Sequence, residues 1–173
     1  SCVGYGSLIV GKRLHVQIGN VGLESDIFLQ TTLITMYGKC GDPATSDFLF
    51  DKLSERNVVS WNAVIAVHAH QAQGGGALLR FNQMQQEALI PDKITFRTIL
   101  CSISSCSILA NMKFLHAYVV SSGLDSDMVV STSLFSMFGR CGDVEYSRKL
   151  FDGMLKRDLI AWNAMIAVYA QNG

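Results

Sequence analysis

The chain has 173 residues, of which 49% are hydrophobic and 16% charged, so a disordered polar chain is excluded and one domain or a short array of small units is allowed. Fourteen basic residues balance fourteen acidic ones, so the net charge gives no general sign of nucleic-acid binding. It does not exclude a local basic groove. No run of ~18 apolar residues occurs, so no transmembrane helix is predicted. Five cysteines without a CxxC spacing are expected to be reduced structural thiols.

Turn and capping signals divide the chain into helices. In the stretch CGDP, Gly41 is expected to end one helix, Asp42 to cap the next and Pro43 to occupy its first turn. The stretch SSGLDSD at 121–127 predicts another turn, and CGDV at 141–144 repeats the first break without the proline. Helical spacing of i, i+3, i+4 and i+7 connects three sets: Ser46, Leu49, Phe50 and Leu53; Trp61, Val64, Ile65 and His68; and Ser147, Leu150, Phe151 and Met154.

The sequence repeats itself at a distance of 101 residues. When 1–72 is aligned with 102–173, about 28 of the 72 positions are identical. The clearest matched pair is VVSWNAVIAVHA, which contains Trp61, and LIAWNAMIAVYA, which contains Trp162. GLESD with GLDSD, and MYGKCGD with MFGRCGD, match in the same register. An array of similar units is therefore predicted.

Five polar residues subdivide that period, and each precedes a new apolar segment. Their spacings of 31, 35, 35 and 31 residues suit one helix–turn–helix unit per interval, and no alternating strand pattern competes. A single hairpin cannot bury a core alone, so the units must stack on their neighbours. We therefore predict an all-α fold, a right-handed α-solenoid of stacked helix–turn–helix repeats. The five residues are Asp26, Asn57, Asp92, Asp127 and Asp158.

The order of motifs along the whole chain resembles the pentatricopeptide repeat (PPR) family. The resemblance is carried by DKITF, LHAYVVSSGLDSD, MVVSTSLFSMFGRCGDVEYSRKLFDGM and RDLIAWNAMIAVYAQNG. The 35, 31, 35 rhythm is similar to that of the plant PLS subclass, in which long, short and standard repeats alternate. The resemblance implies a single solenoid over 1–173, expected to be a fragment, with repeats 27–57, 58–92, 93–127 and 128–158 between partial repeats 1–26 and 159–173.

The resemblance also implies a function. Helical-repeat RNA readers assign one base of a single strand to each repeat, through two or three side chains. The subclass commonly directs C-to-U editing in organelles. Single-stranded RNA and other editing or processing proteins are therefore the expected partners, and a mitochondrion or chloroplast is the expected location. No cofactor, metal or membrane partner is expected.

The implied RNA contacts come from the fifth residue of each repeat and from its last residue. The family's pairing rules and its 5′ to 3′ reading direction imply 5′-A-U-N-G-Y-3′, in which N faces the long repeat. At Arg97, phosphate contact and base recognition both stay open. The pairs are Thr31 with Asn57 for A, Asn62 with Asp92 for U, Arg97 with Asp127 for N and Thr132 with Asp158 for G, while Asn163 begins the last unit.

Two further features of these positions have alternative explanations. The second residue of each unit is apolar, which suits either core packing at a helix start or the base-sandwiching surface that the family implies. The terminal Asp residues are explained equally well as helix N-caps without RNA. By contrast, Asn62 and Asn163 are poor helix formers, costing roughly 0.7 kcal/mol against Ala, which favours a role beyond folding. The second residues are Phe28, Val59, Ile94, Val129 and Ile160.

The sequence departs from the family pattern in one repeat above all. Gly75 and Gly76 replace the usual acidic helix formers and Arg80 replaces an apolar residue, so the second helix of repeat 58–92 is expected to have a frayed or shifted start. Val67 and Val168 occupy a place usually held by Gly.

No enzyme is predicted, because the sequence has neither the zinc deaminase signature nor a phosphate-binding loop. His15 and His116 match each other and are interpreted as packing residues with a polar tip, while His68 and His70 have the wrong spacing for a metal pair. Two alternatives to RNA binding remain open: a helical-repeat scaffold that binds protein without RNA specificity, and a degenerate array without function.

Overall fold

The computed structural model of the protein describes residues 2–70, 75–103 and 109–173. Side chains are described from residue 7 onward in the first range, throughout the second, and from residue 112 onward in the third. These ranges contain helices and turns and no β-strand, which confirms the predicted all-α class. Within the described ranges the α-helices are α1 Cys2–Asn20, α2 Ile27–Lys39, α3 Pro43–Asp51, α4 Val58–Ala69, α5 Gly75–Gln86, α6 Lys93–Ser102, α7 Leu109–Ser121, α8 Met128–Arg140, α9 Val144–Gly153 and α10 Leu159–Asn172, and a 3-10 turn lies at Leu124–Ser126.

Over the described parts of the chain, none of the helices has the length and apolar character needed to cross a membrane.

The helices form two compact units, residues 1–90 and 91–173. In the first unit α2 packs against α3 and α4, and α5 covers α4. In the second unit α8 packs against α6, α9 and α10. Short turns make successive helices antiparallel, so α2 and α4 point the same way, as do α8 and α10. A helix begins at the first residue of each predicted repeat, and we call these five helices, α2, α4, α6, α8 and α10, the first helices.

The CGD turns form as the sequence predicts. Gly41 and Gly142 have φ angles of +82° and +84°, a left-handed conformation that favours glycine because it has no Cβ. Asp42 then caps α3 by accepting the Thr45 N–H at 3.1 Å, with Pro43 in the first turn. The same residue types therefore end one helix and start the next in both units.

Aromatic side chains occupy the core of each unit. In the first, the Phe50 and Trp61 rings meet edge to face with centroids 4.6 Å apart. In the second, Phe135 and Phe151 meet in the same way at 5.6 Å, and Met165 closes the cluster. Edge-to-face packing of this kind adds to the stabilisation that burial of the rings provides.

A buried serine fixes each short hairpin. Ser46 Oγ donates to the Ile34 carbonyl at 3.0 Å, and Ser147 Oγ donates to the Phe135 carbonyl at 2.8 Å. Both serines are fully buried, so these bonds satisfy hydroxyl groups that would otherwise be costly to bury. A small side chain at this position also lets the second helix approach the first closely.

The valines at the usual glycine place are compensated by glycines on the neighbouring helix. A Cβ added to Gly38 of α2 would lie 2.1 Å from Val67 Cγ2, and one added to Gly139 of α8 would lie 2.4 Å from Val168 Cγ2. The valine of each later helix therefore fills the space that the glycine of the earlier helix leaves open. The larger side chain in one helix is therefore accommodated by the absence of a side chain in its neighbour, which explains the departure from the family pattern.

The glycine-rich start of α5 has a similar explanation. Helix α5 begins at Gly75 and includes Gly76, and residues 71–74 lie outside the described residues, so the frayed or shifted start stays a prediction. A Cβ on Gly76 would lie 2.9 Å from His68 Nδ1, so glycine makes room for the imidazole. His68 Nε2 in turn lies 2.8 Å from Asp47 Oδ1, to which Arg80 donates at 2.6 Å. Arg80 thus ties α5 to α3 by an ion pair in place of an apolar contact.

The two matched histidines each share a hydrogen bond with a tyrosine hydroxyl. His15 Nδ1 lies 2.9 Å from the Tyr37 hydroxyl, and His116 Nδ1 lies 3.0 Å from the Tyr146 hydroxyl. Burial lowers the pKa of His116, and the opposing charge of Asp125 does not reverse this. Both histidines are therefore packing residues with a bonded polar tip, as predicted.

Candidate nucleic-acid interface

The second residue of every first helix is exposed. Relative accessibilities lie between 48% for Ile94 and 76% for Phe28, so the core-packing explanation is wrong for this series. The buried face of the helix begins one residue later, at Ser60 in α4 and at Thr95 in α6. Each first helix therefore presents one large apolar side chain to solvent near its N-terminus: Phe28, Val59, Ile94, Val129 and Ile160.

The last residue of every predicted repeat is the N-cap of the first helix that follows. Asn57 Oδ1 accepts the Ser60 N–H at 2.9 Å, and Asp158 Oδ1 accepts the Ala161 N–H at 2.8 Å. The N-cap interpretation is confirmed, but it uses only one of the two terminal atoms of these side chains. The five caps are Asp26, Asn57, Asp92, Asp127 and Asp158.

The terminal atoms that remain at two of the caps differ in chemistry. Nδ2 of Asn57 can donate two hydrogen bonds, and Oδ2 of Asp158 can accept them. In the described structure neither atom makes a hydrogen bond. A cap can therefore present either a donor or an acceptor to a ligand while the same backbone bond is kept.

The fifth residues lie in the second turn of the first helices. The Thr31 hydroxyl donates to the Ile27 carbonyl at 2.7 Å, which leaves its lone pairs as acceptors. Thr132 and Asn62 are half-buried, and Asn163 and Arg97 are exposed. Every one of these positions carries a polar or charged group within reach of solvent.

Three of the predicted pairs lie each within one unit. Thr31 near the start of α2 and Asn57 at the start of α4 belong to the same end of two helices that pack side by side. Thr132 and Asp158 have the same relation in α8 and α10, and so do Arg97 and Asp127 in α6 and α8. Asn62 belongs to the first unit and Asp92 to the second. The assignment of every pair to a base remains a prediction from the sequence.

Sequence reasoning missed one exposed cation beside these positions. Lys93 is the first residue of α6 and lies one helical turn before Arg97. Its i, i+4 spacing from Arg97 was the signal that could have identified it.

Family models for PPR repeats match most of the chain. The description "PPR repeat family" matches residues 56–104, and "PPR repeat" matches residues 31–58, 129–159 and 160–173. The protein belongs to the PPR family. This membership confirms the resemblance to the family that the sequence motifs suggested.

Several proteins of Arabidopsis thaliana are similar to this PPR protein. A chloroplastic pentatricopeptide repeat-containing protein, At1g11290, is 37% identical over 171 residues, which are 99% of this chain and 21% of the relative. The chloroplastic protein CRR2 is 34% identical over 168 residues, 96% of this chain and 26% of the relative. The chain thus spans about a quarter of the length of these curated relatives.

Solved structures of a maize PPR protein have the same fold. PPR10 from maize superimposes with a TM-score of 0.72 at 21% identity, covering 91% of this chain and 24% of that one. PPR10 in complex with an 18-nt psaJ RNA element superimposes with a TM-score of 0.69 at 20% identity, covering 88% and 24%. The predicted α-solenoid fold class is therefore confirmed.

Proposed function

We propose that this PPR chain binds single-stranded RNA in a sequence-specific manner, with one nucleotide recognised by each repeat. The observation that carries the proposal is the series of exposed apolar side chains at the second position of all five first helices. Large apolar side chains are unfavourable in water, and their surface suits the faces of unstacked bases. Stacking of bases on such side chains contributes ~1–3 kcal/mol per base to binding. The similarity to a PPR protein whose structure contains RNA adds support.

The pair Thr31 and Asn57 suits adenine. The adenine Watson–Crick edge offers an acceptor at N1 and a donor at its amino group. Asn57 Nδ2 can donate to N1, and the Thr31 oxygen can accept from the amino group because its proton is bonded to Ile27.

The pair Thr132 and Asp158 suits guanine for the opposite reason. Guanine offers two donors, N1–H and the amino group, so a carboxylate oxygen is a fitting partner. Oδ1 of Asp158 holds the Ala161 N–H, and Oδ2 is left to accept from the base. The cap residue then selects between the two purines by the atom that it does not use for the helix.

A reciprocal exchange of cap residues tests this proposal. Asn57→Asp should shift the preferred first base of 5′-AUNGY-3′ from A toward G, and Asp158→Asn should shift the fourth base from G toward A. Both changes keep the N-cap oxygen, so helix stability should change little, because Asn and Asp are similar caps. Asp143→Asn is the matched control, since Asp143 caps the second helix α9 by accepting the Tyr146 N–H at 3.0 Å.

Affinities of the three variants and the parent chain for RNA oligonucleotides with A or G at each position give the answer. Unchanged preferences in both exchanged variants would reject the pair assignment. Absence of binding by the parent chain at low salt would reject RNA binding and favour the protein scaffold or the degenerate array.

The wider role follows from the relatives. We extend the proposal to the PLS subclass, to the repeat bounds given above and to a part in editing or processing of organellar transcripts together with other proteins. Related proteins are chloroplastic or mitochondrial, which supports a location in one of these organelles.

A further inference from the structure

The first helices carry almost no charge along their length, with one exception. Before their final residues, α2, α4, α8 and α10 contain no Lys, Arg, Asp or Glu. Helix α6 contains two cations, Lys93 and Arg97. The chain as a whole has zero net charge, so these two groups are a local feature of one helix.

Both cations lie on the outward face of α6. Lys93, Ile94 and Arg97 are exposed, whereas Phe96, Ile99 and Leu100 are buried. Spacing of four residues puts the two cations on one side of the helix, next to the apolar residue of the candidate interface, Ile94. The positive end of the helix dipole disfavours cations in the first turns, so helix stability does not explain Lys93 there.

Neither cation has an ion pair with the described residues of the protein. In the described ranges, Lys93 and Arg97 take part in none of the ion pairs. Other arginines are held: Arg140 donates to the Ile103 carbonyl at 3.3 Å, and Arg157 donates to the Phe151 carbonyl at 2.9 Å. The carboxylate next to Lys93 in the sequence is that of Asp92, which acts as the N-cap of α6: its Oδ1 accepts the Thr95 N–H at 2.9 Å.

We propose that Lys93 and Arg97 form a phosphate-binding anchor for the RNA backbone at the long repeat, an inference that rests on the proposed RNA binding. Recognition of a base by arginine needs a guanidinium fork held in a fixed orientation, which Arg97 lacks. Phosphate contacts tolerate a mobile cation and position the strand without selecting a base. The nucleotide opposite α6 is therefore held through its backbone and left unspecified, while neighbouring repeats select theirs.

The salt dependence of binding tests the anchor. For single strands, each lost phosphate contact should lower the slope of log affinity against log salt concentration by about 0.7. Arg97→Gln and Lys93→Gln should each lower the slope by that amount, and the double variant by about 1.4. Arg97→Lys should retain the slope, because a point charge suffices. Lys113→Gln is the control, since it removes an exposed cation from the second helix α7.

The full chain is titrated with 5′-AUNGC-3′ oligonucleotides carrying each of the four bases at N, from about 50 to about 200 mM KCl. Uniform weakening over the four oligonucleotides, with the lowered slope, is the expected result for Arg97→Gln. An unchanged slope with an altered preference at N would overturn the anchor and make Arg97 a base-recognising residue. An unchanged slope and preference would overturn it as well. Failure of the parent chain to bind any oligonucleotide would instead reject the proposed function itself.

Discussion

Helices α4 and α10 have nearly the same sequence in two different surroundings. Trp61 of α4 is 2% exposed and its counterpart Trp162 of α10 is 49% exposed; Ile65 is fully buried, and its counterpart Ile166 is 63% exposed. The inner face is equally buried in both helices, since Val67 and Val168 each contact a glycine of the preceding first helix. Identical residues of the two helices therefore differ in burial on the outer face, whereas the inner face is buried in both.

Helix α5 accounts for the difference. It covers the outer face of α4 with buried Phe81 and Met84, and Glu87 just beyond it accepts the Trp61 Nε1–H at 3.1 Å. Glu87 also pairs with Arg56 at 2.7 Å. Helix α10 packs on α8 and α9. The comparison shows that each first helix has two apolar faces, one for the preceding hairpin and one for its own second helix.

The largest expected effect concerns the outer face. Trp61→Ala should lower the free energy of unfolding by about 3–5 kcal/mol, the usual range for a buried aromatic residue. Trp162→Ala should cost less than about 2 kcal/mol, because half of the ring is already in water. Urea denaturation of the two variants and the parent chain measures both values. Equal losses would contradict the difference in burial.

A smaller effect is expected on the inner face, where the two helices should behave alike. Gly38→Ala and Gly139→Ala should each cost about 1–3 kcal/mol, because the new methyl group meets a stiff valine. Combining Gly38→Ala with Val67→Ala should recover part of the loss, giving a coupling energy of about 0.5–3 kcal/mol. A double-mutant cycle by urea denaturation measures this coupling, and additive losses would show that the two residues do not share the space.

The smallest effect concerns the capping box of α4. Asn57 and Ser60 bond each other's backbone, with Asn57 N–H to Ser60 Oγ at 3.0 Å, whereas α10 has Ala161 at the place of Ser60. Ser60→Ala makes the start of α4 like that of α10 and should cost about 1 kcal/mol, the worth of one hydrogen bond. Thermal denaturation followed by circular dichroism measures it. A loss near zero would mean that the Asn57 cap alone suffices, as Asp158 does in α10.

Much of the fold could be predicted from the sequence, because local rules fix it. The spacing of Asp and Asn caps located the start of all five first helices, and glycine in the CGD turns located the ends of α2 and α8. The residues of the candidate site remain predictions from the sequence. Its chemistry was less accessible: the exposure of Phe28 and Ile94 could not be separated from core packing by periodicity, since position two of a helix can face either way.

The sequence by itself determined the period, the helix boundaries and the identity of the caps, since these depend on residues within one or two turns of each other. Only the tertiary structure decided which of the equivalent residues are buried, that Val67 packs against Gly38, and that Arg80 forms an ion pair with Asp47. Those outcomes depend on neighbours about 30 residues away, whose distance and volume no local pattern encodes.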